Sequence, residues 1–334
     1  MKTRVAKWDN LKAFLILCVV VGHVADLYVG ESDALRGIFL FIYFFHMPAF
    51  FFISGLLSKK VIDENKIEKV VPYLVLYFFT KFLLFFVSGI IRGGWSLRFF
   101  SESGVPWFAL ALFAMYVITM YVKHFHWTYV LIWSLLLSFF VGYDQTMGDF
   151  LAIRRIINFY PFFYVGYLMD SKELEKVFLD WKWKVAAWAG VGIVGVFCLM
   201  GVDKLYWLRP LMTGRNPYSA LSEQLLPYGG VIRILLTAAT FLMIALLVAA
   251  APAKTYWFTK IGMRTLPIYV IHYAFIYVLF CRMHVNEWLQ SVLLYRGGWQ
   301  IGVLLIGVII TLICSNRYFD LFIRKLMYSN CRTH

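Results

Sequence analysis

Residues 11–29 read LKAFLILCVVVGHVADLYV, an apolar run that is interrupted by Lys12, His23 and Asp26. In an α-helix, eleven steps of about 100° and 1.5 Å return the chain to within roughly 20° of its starting direction, about 16 Å further along the axis. Lys12 and His23 therefore share one face of a membrane helix, with the imidazole near mid-bilayer. Ionisable side chains at that depth are costly and mark a candidate functional site. Asp26 lies on the same side and could orient the ring; the alternative is a histidine satisfied by a neighbouring helix.

Composition predicts a polytopic helical membrane protein. Hydrophobic residues make up 62% of the 334, charged residues only 15%, and the mean hydropathy is +0.73. A soluble domain of this size does not need so much apolar surface. We predict an all-α fold, with one membrane-embedded domain over residues 1–334, whose first apolar run is a retained helix and not a cleaved signal peptide. The expected spans are ten: 11–29, 38–57, 70–91, 105–122, 127–142, 156–169, 185–202, 231–252, 265–281 and 299–315. The sixth is short and contains Pro161, which predicts a helix that is tilted, broken or shielded by protein.

The basic residues are distributed unevenly between the two sides of these spans. Twenty of the 32 Lys and Arg residues fall on the side of the N-terminus, the even-numbered loops and the C-terminus, eleven on the other, and Lys81 lies within the third span. The positive-inside rule then places both termini in the cytoplasm. The expected location is the cytoplasmic (inner) membrane, as a multi-pass protein. The net charge of +14 becomes a topology signal and a match to anionic lipid, so no nucleic acid is expected as a partner. Ten of the eleven outer cations are arginines, which suit phosphate or carboxylate groups but also anchor lipid headgroups.

Two further spans carry histidines. The second contains His46 two residues before Pro48, which permits a kink. It ends near Ser54-Gly55, where the glycine permits a close helix contact. His272 lies two turns into the ninth span, so histidines in three spans suggest a lined cavity. No H-E-x-x-H motif or acidic cluster is present, and the five cysteines lack metal-type spacing, so we expect no metal site and regard the cysteines as core residues.

Two other segments carry polar groups with more than one interpretation. Lys66 and Lys69 share a face before the third span and could hold the phosphates of a soluble donor, or simply follow the positive-inside rule. The connection at about 203–230 combines aromatic residues with Arg209 and Arg215. Such a mixture suits sugar rings, but it is also typical of an interfacial loop.

Five motifs in order resemble the acyltransferase-3 family of bacterial integral-membrane acyltransferases, especially its single-domain branch near fucose 4-O-acetylase-like proteins. They are WDNLKAFLILCVVVGH (8–23), similar to the opening basic-residue and histidine motif, FFHMPAFFFISG (44–55), KIEK (66–69) before Pro72-Tyr73, Arg155 ahead of PFFYVGY (161–167), and RTLPIYVIH (264–272). Lysines stand at 12, 66 and 69 where the family has arginines, and lysine does not reproduce the bidentate geometry of arginine. The SGNH-type hydrolase domain of some relatives is absent, so transfer is expected to finish in the membrane domain or on a separate protein.

The resemblance implies an O-acyltransferase, usually an acetyltransferase, that takes its acyl group from cytoplasmic acetyl-CoA as co-substrate and has no permanently bound cofactor. The implied acceptor is a hydroxyl of a cell-surface glycan or lipid-linked sugar. His23 is the expected general base, because a sugar hydroxyl is a poor nucleophile until a base removes its proton. The other implied residues are Asp26 and His46 in catalysis; Lys12, Lys66, Lys69, Arg155 and Ser54 at the donor; and Trp107, His272, Arg209 and Arg215 at the acceptor.

Two other classes fit the same composition. A transporter or flippase of lipid-linked sugars would use the histidines as a proton relay and would show inverted-repeat hydropathy, which the chain does not clearly display. A membrane subunit that binds a small molecule without turnover is the third. CoA-dependent acyl release separates the acyltransferase from both.

Overall fold

The computed structural model describes residues 5–102, 104–177, 181–293 and 298–328. Regular structure in these residues is helical, apart from one isolated bridge between Ser101 and Phe150, so the predicted all-α class is confirmed. The main helices are α1 (Ala6–Asp26), α2 (Asp33–Asp63), α3 (Val71–Arg92), α4 (Trp107–Val122), α5 (Trp127–Phe140), α6 (Ile153–Leu168), α7 (Trp181–Met200), α8 (Gly229–Ala250), α9 (Thr265–Ile276, continued by a π-helix over Tyr277–Arg282), α10 (Gly298–Cys314) and α11 (Arg317–Tyr328). Shorter helices are Ser171–Val177, Val202–Leu205, Arg209–Met212, Thr259–Met263 and Val285–Val292, with 3₁₀ turns at Ile67–Lys69, Tyr206–Leu208, Tyr218–Ala220 and Leu226–Tyr228.

Local sequence signals set several of the helix ends. The Ser32 hydroxyl accepts a hydrogen bond from the backbone N–H of Leu35 and caps the start of α2. Pro72 stands in the first turn of α3, where its missing N–H has no helical partner to lose. The same helix ends at Gly93, which takes a left-handed φ of 74° that glycine adopts without strain.

Six helices in the described part of the chain are long and apolar enough to cross a bilayer: α1, α2, α3, α7, α8 with the 3₁₀ turn before it, and α9 with its π-helical continuation. A seventh arises if α10 and α11, which meet at a bend of 61°, count as one span. The helices α4, α5 and α6 have only 16, 14 and 16 residues. Each of the ten predicted spans thus coincides with a helix, while ten membrane crossings stay a prediction.

The helices α1 and α2 form the centre of the bundle. Protein buries 72% of the apolar window of α1 and 67% of that of α2, against 17% in the peripheral α7. The short α6 packs along α2 and is buried on almost every face, although it carries Arg154, Arg155 and Asn158. It continues as a helix through Pro161. Of the predicted alternatives, the helix is not broken at Pro161 but is shielded by protein. The shielding explains how a short, polar helix is tolerated there.

Glycines allow α2 and α6 to approach at backbone distance. A Cβ on Gly55 would overlap the carbonyl oxygen of Phe163, and a Cβ on Gly166 would overlap that of Phe52. Small residues at a crossing are how membrane helices reach such contact. The structural role predicted for Gly55 is thus confirmed.

Some sequence predictions lie partly outside the described residues. Cys18, Cys198 and Cys314 are buried free thiols, and Cys281 is a partly buried one, whereas Cys331 is outside the described residues. The basic residues closest to the two ends of the chain, Lys2, Arg4 and Arg332, are outside them as well.

We predict that Gly55→Ala lowers the unfolding free energy by about 1–3 kcal/mol, because the added methyl meets an immobile backbone carbonyl. The matched control is Gly192→Ala in α7, where a Cβ meets nothing within 4 Å and alanine gains helix propensity. Thermal unfolding of the purified proteins in detergent checks the pair. A Gly55→Ala protein at least as stable as the control would contradict the close crossing.

Candidate active site

The His23 ring lies among three aromatic rings from α2 and α9. The Tyr43 hydroxyl is 3.4 Å from His23 Nδ1, with the two rings edge to face. The His272 ring stacks on His23 with centroids 5.4 Å apart, and Tyr273 meets it edge-on at 5.2 Å. The His23 side chain stays partly exposed, because it borders two cavities.

The first cavity, here called the Lys12 cavity, has a volume of about 250 Å³. Lys12 and His23 both line it from one face of α1, as their spacing predicts. Ser54 of α2 and Tyr73 of α3 add polar groups to walls that are otherwise largely apolar. Arg324 of α11 completes the lining.

The second cavity, here called the Arg209 cavity, has a volume of about 310 Å³ and a far more polar wall. The residues that bring polar or charged groups to it are His23, Asp26, Tyr43, His46, Arg155, Arg209, Thr213, Arg215, Asn216 and Tyr273. The connection predicted at about 203–230 folds into short helices and turns, and it supplies the wall from Arg209 to Asn216. This connection therefore covers the site.

His23, Met47, Val105 and Trp107 line both cavities. Along α1, the Lys12 cavity extends from Lys12 to His23 and the Arg209 cavity from His23 to Asp26, a total of about 21 Å at 1.5 Å per residue. The two cavities thus approach one imidazole from opposite ends of a central membrane helix.

Ion pairs hold the wall of the Arg209 cavity. Arg209 Nη2 donates to Asp26 Oδ1 at 2.7 Å, and Arg215 makes two bonds of 2.6 Å to Asp149. The carboxylate of Asp26 is thus engaged by a guanidinium, and the described hydrogen-bond contact of the His23 ring is with Tyr43. Asp26 lines the Arg209 cavity together with His23, and its role in orienting the imidazole stays a prediction.

Arg155 lines the Arg209 cavity and is not part of the wall of the Lys12 cavity, while its predicted role at the donor stays a prediction. Its guanidinium carbon lies 4.6 Å from the ring centroid of Trp107, and its Nη1 donates to the Glu102 carbonyl oxygen at 3.2 Å. The side chain is buried, and its Nε–H has no hydrogen-bond partner among the described residues. The placement follows from α6, which enters the bundle beside the connection before α4.

That connection is anchored by a buried ion pair. Lys81 of α3 pairs with Glu102, donates to the Phe99 carbonyl oxygen at 2.8 Å, and receives support from Tyr77, whose hydroxyl donates to the same carboxylate at 2.5 Å. Both members of the pair are buried, as expected for Lys81. The pair holds the chain just before Val105 and Trp107, which line both cavities.

The remaining histidines occupy different places. His46 lines the Arg209 cavity, and its Nδ1 bonds the Ile42 carbonyl oxygen at 2.8 Å, so this nitrogen carries the hydrogen. His272 is fully buried, makes the equivalent 2.8 Å bond to Ile268, and lines neither cavity. It contacts the site through its stack on His23. No group of three His, Cys, Asp or Glu side chains in the described part of the chain could hold a metal ion.

Lys66 and Lys69 lie outside both cavity walls. Lys66 bonds the Glu64 carboxylate and lowers the pKa of that carboxyl, while Lys69 is exposed. Both precede Tyr73, which does line the Lys12 cavity, by about one or two helical turns. The two lysines are therefore close in sequence to a residue that lines the Lys12 cavity, but they do not line it themselves.

Three residues of the site had no signal strong enough to be found from sequence. Tyr43 lies one turn before His46, and nothing in the sequence distinguishes it from the many other aromatic residues of that span. Tyr273 is next to His272 and was equally hidden. Arg324 lies beyond the last predicted span, so only the tertiary fold reveals that it lines the Lys12 cavity.

These features define a helical membrane protein in which two cavities converge on one histidine. Residues 5–315 match the acyltransferase-3 family, whose model is described as an acyltransferase domain, and the chain belongs to this family. It is also 26% identical over 185 residues to the nodulation protein NolL of Sinorhizobium fredii. That match covers 51% of this chain and 50% of the relative, so the chain spans about half the length of the curated relative it matches. No solved structure matches significantly.

We predict that Glu102→Gln lowers the unfolding free energy by about 3–5 kcal/mol, because it leaves the buried Lys81 ammonium without its carboxylate. The double variant Lys81→Met/Glu102→Gln should regain most of that loss, since neither buried charge remains. Thermal unfolding in detergent measures both. A Glu102→Gln protein with wild-type stability would show that the pair does not anchor the connection.

Proposed function

We propose that the protein is an integral-membrane O-acyltransferase of the cytoplasmic membrane that transfers the acetyl group of acetyl-CoA to a hydroxyl of a glycan or lipid-linked sugar. His23 is its general base. The observation that carries the proposal is that two cavities of different chemistry share the His23 side chain as a common wall. An enzyme that joins two substrates needs both of them within reach of one proton acceptor.

In this proposal the chain crosses the membrane ten times and both termini are cytoplasmic. The positive-inside rule then turns the Lys12 cavity toward the cytoplasm, where the donor is found. Its apolar walls, including Ile16 and Val19, suit the thioester arm, while Lys12 offers a cation to the phosphates of CoA. Lys66 and Lys69 add cations near the same end of the bundle, and Ser54 offers a hydroxyl along the path.

The acceptor occupies the Arg209 cavity in this proposal and reaches it from the opposite face. A sugar presents several hydroxyls, which need both donors and acceptors of hydrogen bonds. Arg209 and Arg215 supply donors, Asp26 supplies a carboxylate, and Trp107 offers an aromatic face. This mixture favours a polyhydroxyl group over an apolar ligand.

The proposed reaction balances within these groups. His23 takes the proton of the acceptor hydroxyl while the hydroxyl oxygen attacks the acyl carbon. A C–O ester bond forms, the C–S thioester bond breaks, and the CoA thiolate recovers the proton from His23. Tyr43, which contacts Nδ1, orients the ring and leaves Nε2 for the proton.

Arg155 is the candidate for stabilising the oxyanion that develops on the acyl oxygen. Its guanidinium is buried, faces the Arg209 cavity and is stacked on Trp107, which lines both cavities. The buried Nε–H of Arg155 has no hydrogen-bond partner among the described residues, which is costly. An oxyanion that develops during the reaction would accept a hydrogen bond from this group in a site where water is largely excluded. His46 lines the same cavity from the next helix and could assist by hydrogen bonding to the acceptor.

We predict that His23→Gln lowers kcat for acetyl-CoA-dependent acyl release by about 10²- to 10⁴-fold, the usual contribution of a general base. Binding of acetyl-CoA should persist, because the other walls of the Lys12 cavity are unchanged. Release of CoA thiol by the purified protein, with water or a sugar mixture as acceptor, measures turnover. The matched control is His124→Gln, an exposed histidine outside both cavities, which should keep wild-type turnover.

Two results would contradict the proposal. Wild-type turnover in a folded His23→Gln protein would remove His23 as the base. Wild-type protein that does not bind acetyl-CoA, but moves lipid-linked sugar across a vesicle membrane, would establish the transporter instead.

A further inference from the structure

The chain continues past the family match into α11, which lies against the cytoplasmic end of the proposed donor path. The match ends at residue 315, and α11 begins at Arg317 after a bend of 61°. Arg264 fixes this bend, since its Nη1 donates to the Ser315 carbonyl oxygen at 3.0 Å. The direction of α11 is therefore set by a contact with the start of α9.

One face of α11 packs onto the bundle. Ile323 is fully buried and Met327 is nearly so, while the half-exposed Phe322 meets the Phe79 ring of α3 with centroids 6.0 Å apart. Tyr318, in contrast, is 80% exposed. An amphipathic helix held in this way is a fixed part of the wall around the Lys12 cavity, with its outer face available to the membrane interface.

Arg324 is the residue that α11 contributes to that wall. Its Nε lies 2.9 Å from both carboxylate oxygens of Asp320, and its Nη2 donates to the Met263 carbonyl oxygen at 3.1 Å. The side chain is still 43% exposed, and both Arg324 and Met263 line the Lys12 cavity. The guanidinium is thus oriented by its neighbours while part of it faces open space.

Lys12 is tied to the same end of the cavity from the other side. Its Nζ lies 2.7 Å from Asp9 Oδ1, and a Cβ on Gly262 would overlap the Asp9 carbonyl oxygen. In the short helix Thr259–Met263, Gly262 therefore contacts α1, and the carbonyl oxygen of the next residue, Met263, accepts a hydrogen bond from Arg324. This short helix thus contacts the elements that carry Lys12 and Arg324, and both residues lie at the same rim of the Lys12 cavity.

The charge of this rim favours an anion. The segments 259–264 and 320–325 carry Lys260, Arg264, Arg324 and Lys325, and α1 adds Lys12, so five cations face the two carboxylates of Asp9 and Asp320. Arginine presents a fork of donors that matches phosphate oxygens, and lysine is a common point-charge partner. The Lys12 cavity itself, at about 250 Å³, falls below the roughly 300–1,000 Å³ of pockets that enclose a drug-sized ligand. A donor that inserts its thioester arm would leave its nucleotide at this rim.

We propose that Arg324 and Lys12 together form a phosphate-binding site at the rim of the Lys12 cavity, and that α11 completes the donor site. The inference rests on the proposed function, because it takes the phosphates to be those of acetyl-CoA. An anionic lipid headgroup carries the same chemistry, so the experiment separates the two sources.

The test uses the full chain in nanodiscs of phosphatidylcholine and two donors, acetyl-CoA and S-acetyl-pantetheine, which has the same thioester arm but no phosphate. Arg324→Gln should raise the KM for acetyl-CoA by about tenfold or more, the loss typical of one charge-assisted hydrogen bond. Its KM for S-acetyl-pantetheine should stay within about twofold of wild type. Arg324→Lys, which keeps the charge, should recover part of the loss.

The matched control is Arg317→Gln, an exposed arginine about 10 Å away along α11 that does not line the cavity. It should leave both KM values unchanged, and thermal unfolding should show that all three variants fold. An equal effect of Arg324→Gln on both donors would overturn the inference in favour of a packing role, and no effect on either would remove α11 from the donor site. A loss seen only when phosphatidylglycerol is added would assign the site to lipid. Wild-type protein that turns over neither donor would instead contradict the proposed function itself, and the inference with it.

Discussion

The cost of placing ionisable side chains inside a bilayer governs the arrangement of this protein. Two solutions are visible in the bundle: Lys81 has a partner of opposite charge in Glu102, and His23 has a place on a cavity wall. The second solution requires polar space within the membrane, which the proposed transfer to a hydrophilic acceptor would use. The two cavities share His23 as a common wall, so in the proposed reaction both substrates would meet at this imidazole.

The surrounding packing keeps this space from collapsing. The glycines of α2 and α6 let these helices touch at the backbone, and nearer the start of α6 Arg155 is stacked on Trp107 of α4. The Lys81–Glu102 pair holds the connection that delivers Trp107 from the other direction. Tyr269 adds a further tie, since its hydroxyl donates to the Val105 carbonyl oxygen at 2.9 Å. The wall shared by the two cavities is therefore built from rigid, mutually supporting parts, as a preorganised site requires.

Sequence reasoning was most successful where one helix decides the outcome. The shared face of Lys12 and His23 follows from helical periodicity alone, and shielding by protein is one of the alternatives that the short, proline-containing segment of α6 predicts. It was least successful where tertiary contacts decide. Whether Asp26 contacts His23 or Arg209 depends on how the connection after α7 folds back, and Arg155 faces the Arg209 cavity because of the crossing of α2 and α6. Neither contact can be predicted from the spacing of residues within one helix. The number of crossings and their orientation rest on composition and stay predictions.

The central claim is that the two cavities open toward opposite faces of the membrane and meet at His23. Single cysteines at Ser54, in the Lys12 cavity, and at Asn216, in the Arg209 cavity, would report it in a background whose native cysteines are replaced. A membrane-impermeant maleimide would be added to right-side-out and to inside-out vesicles. The account predicts that Ser54→Cys reacts only from the cytoplasmic side and is protected by acetyl-CoA, whereas Asn216→Cys reacts only from the outer side. Labelling of both cysteines from the same side would contradict it.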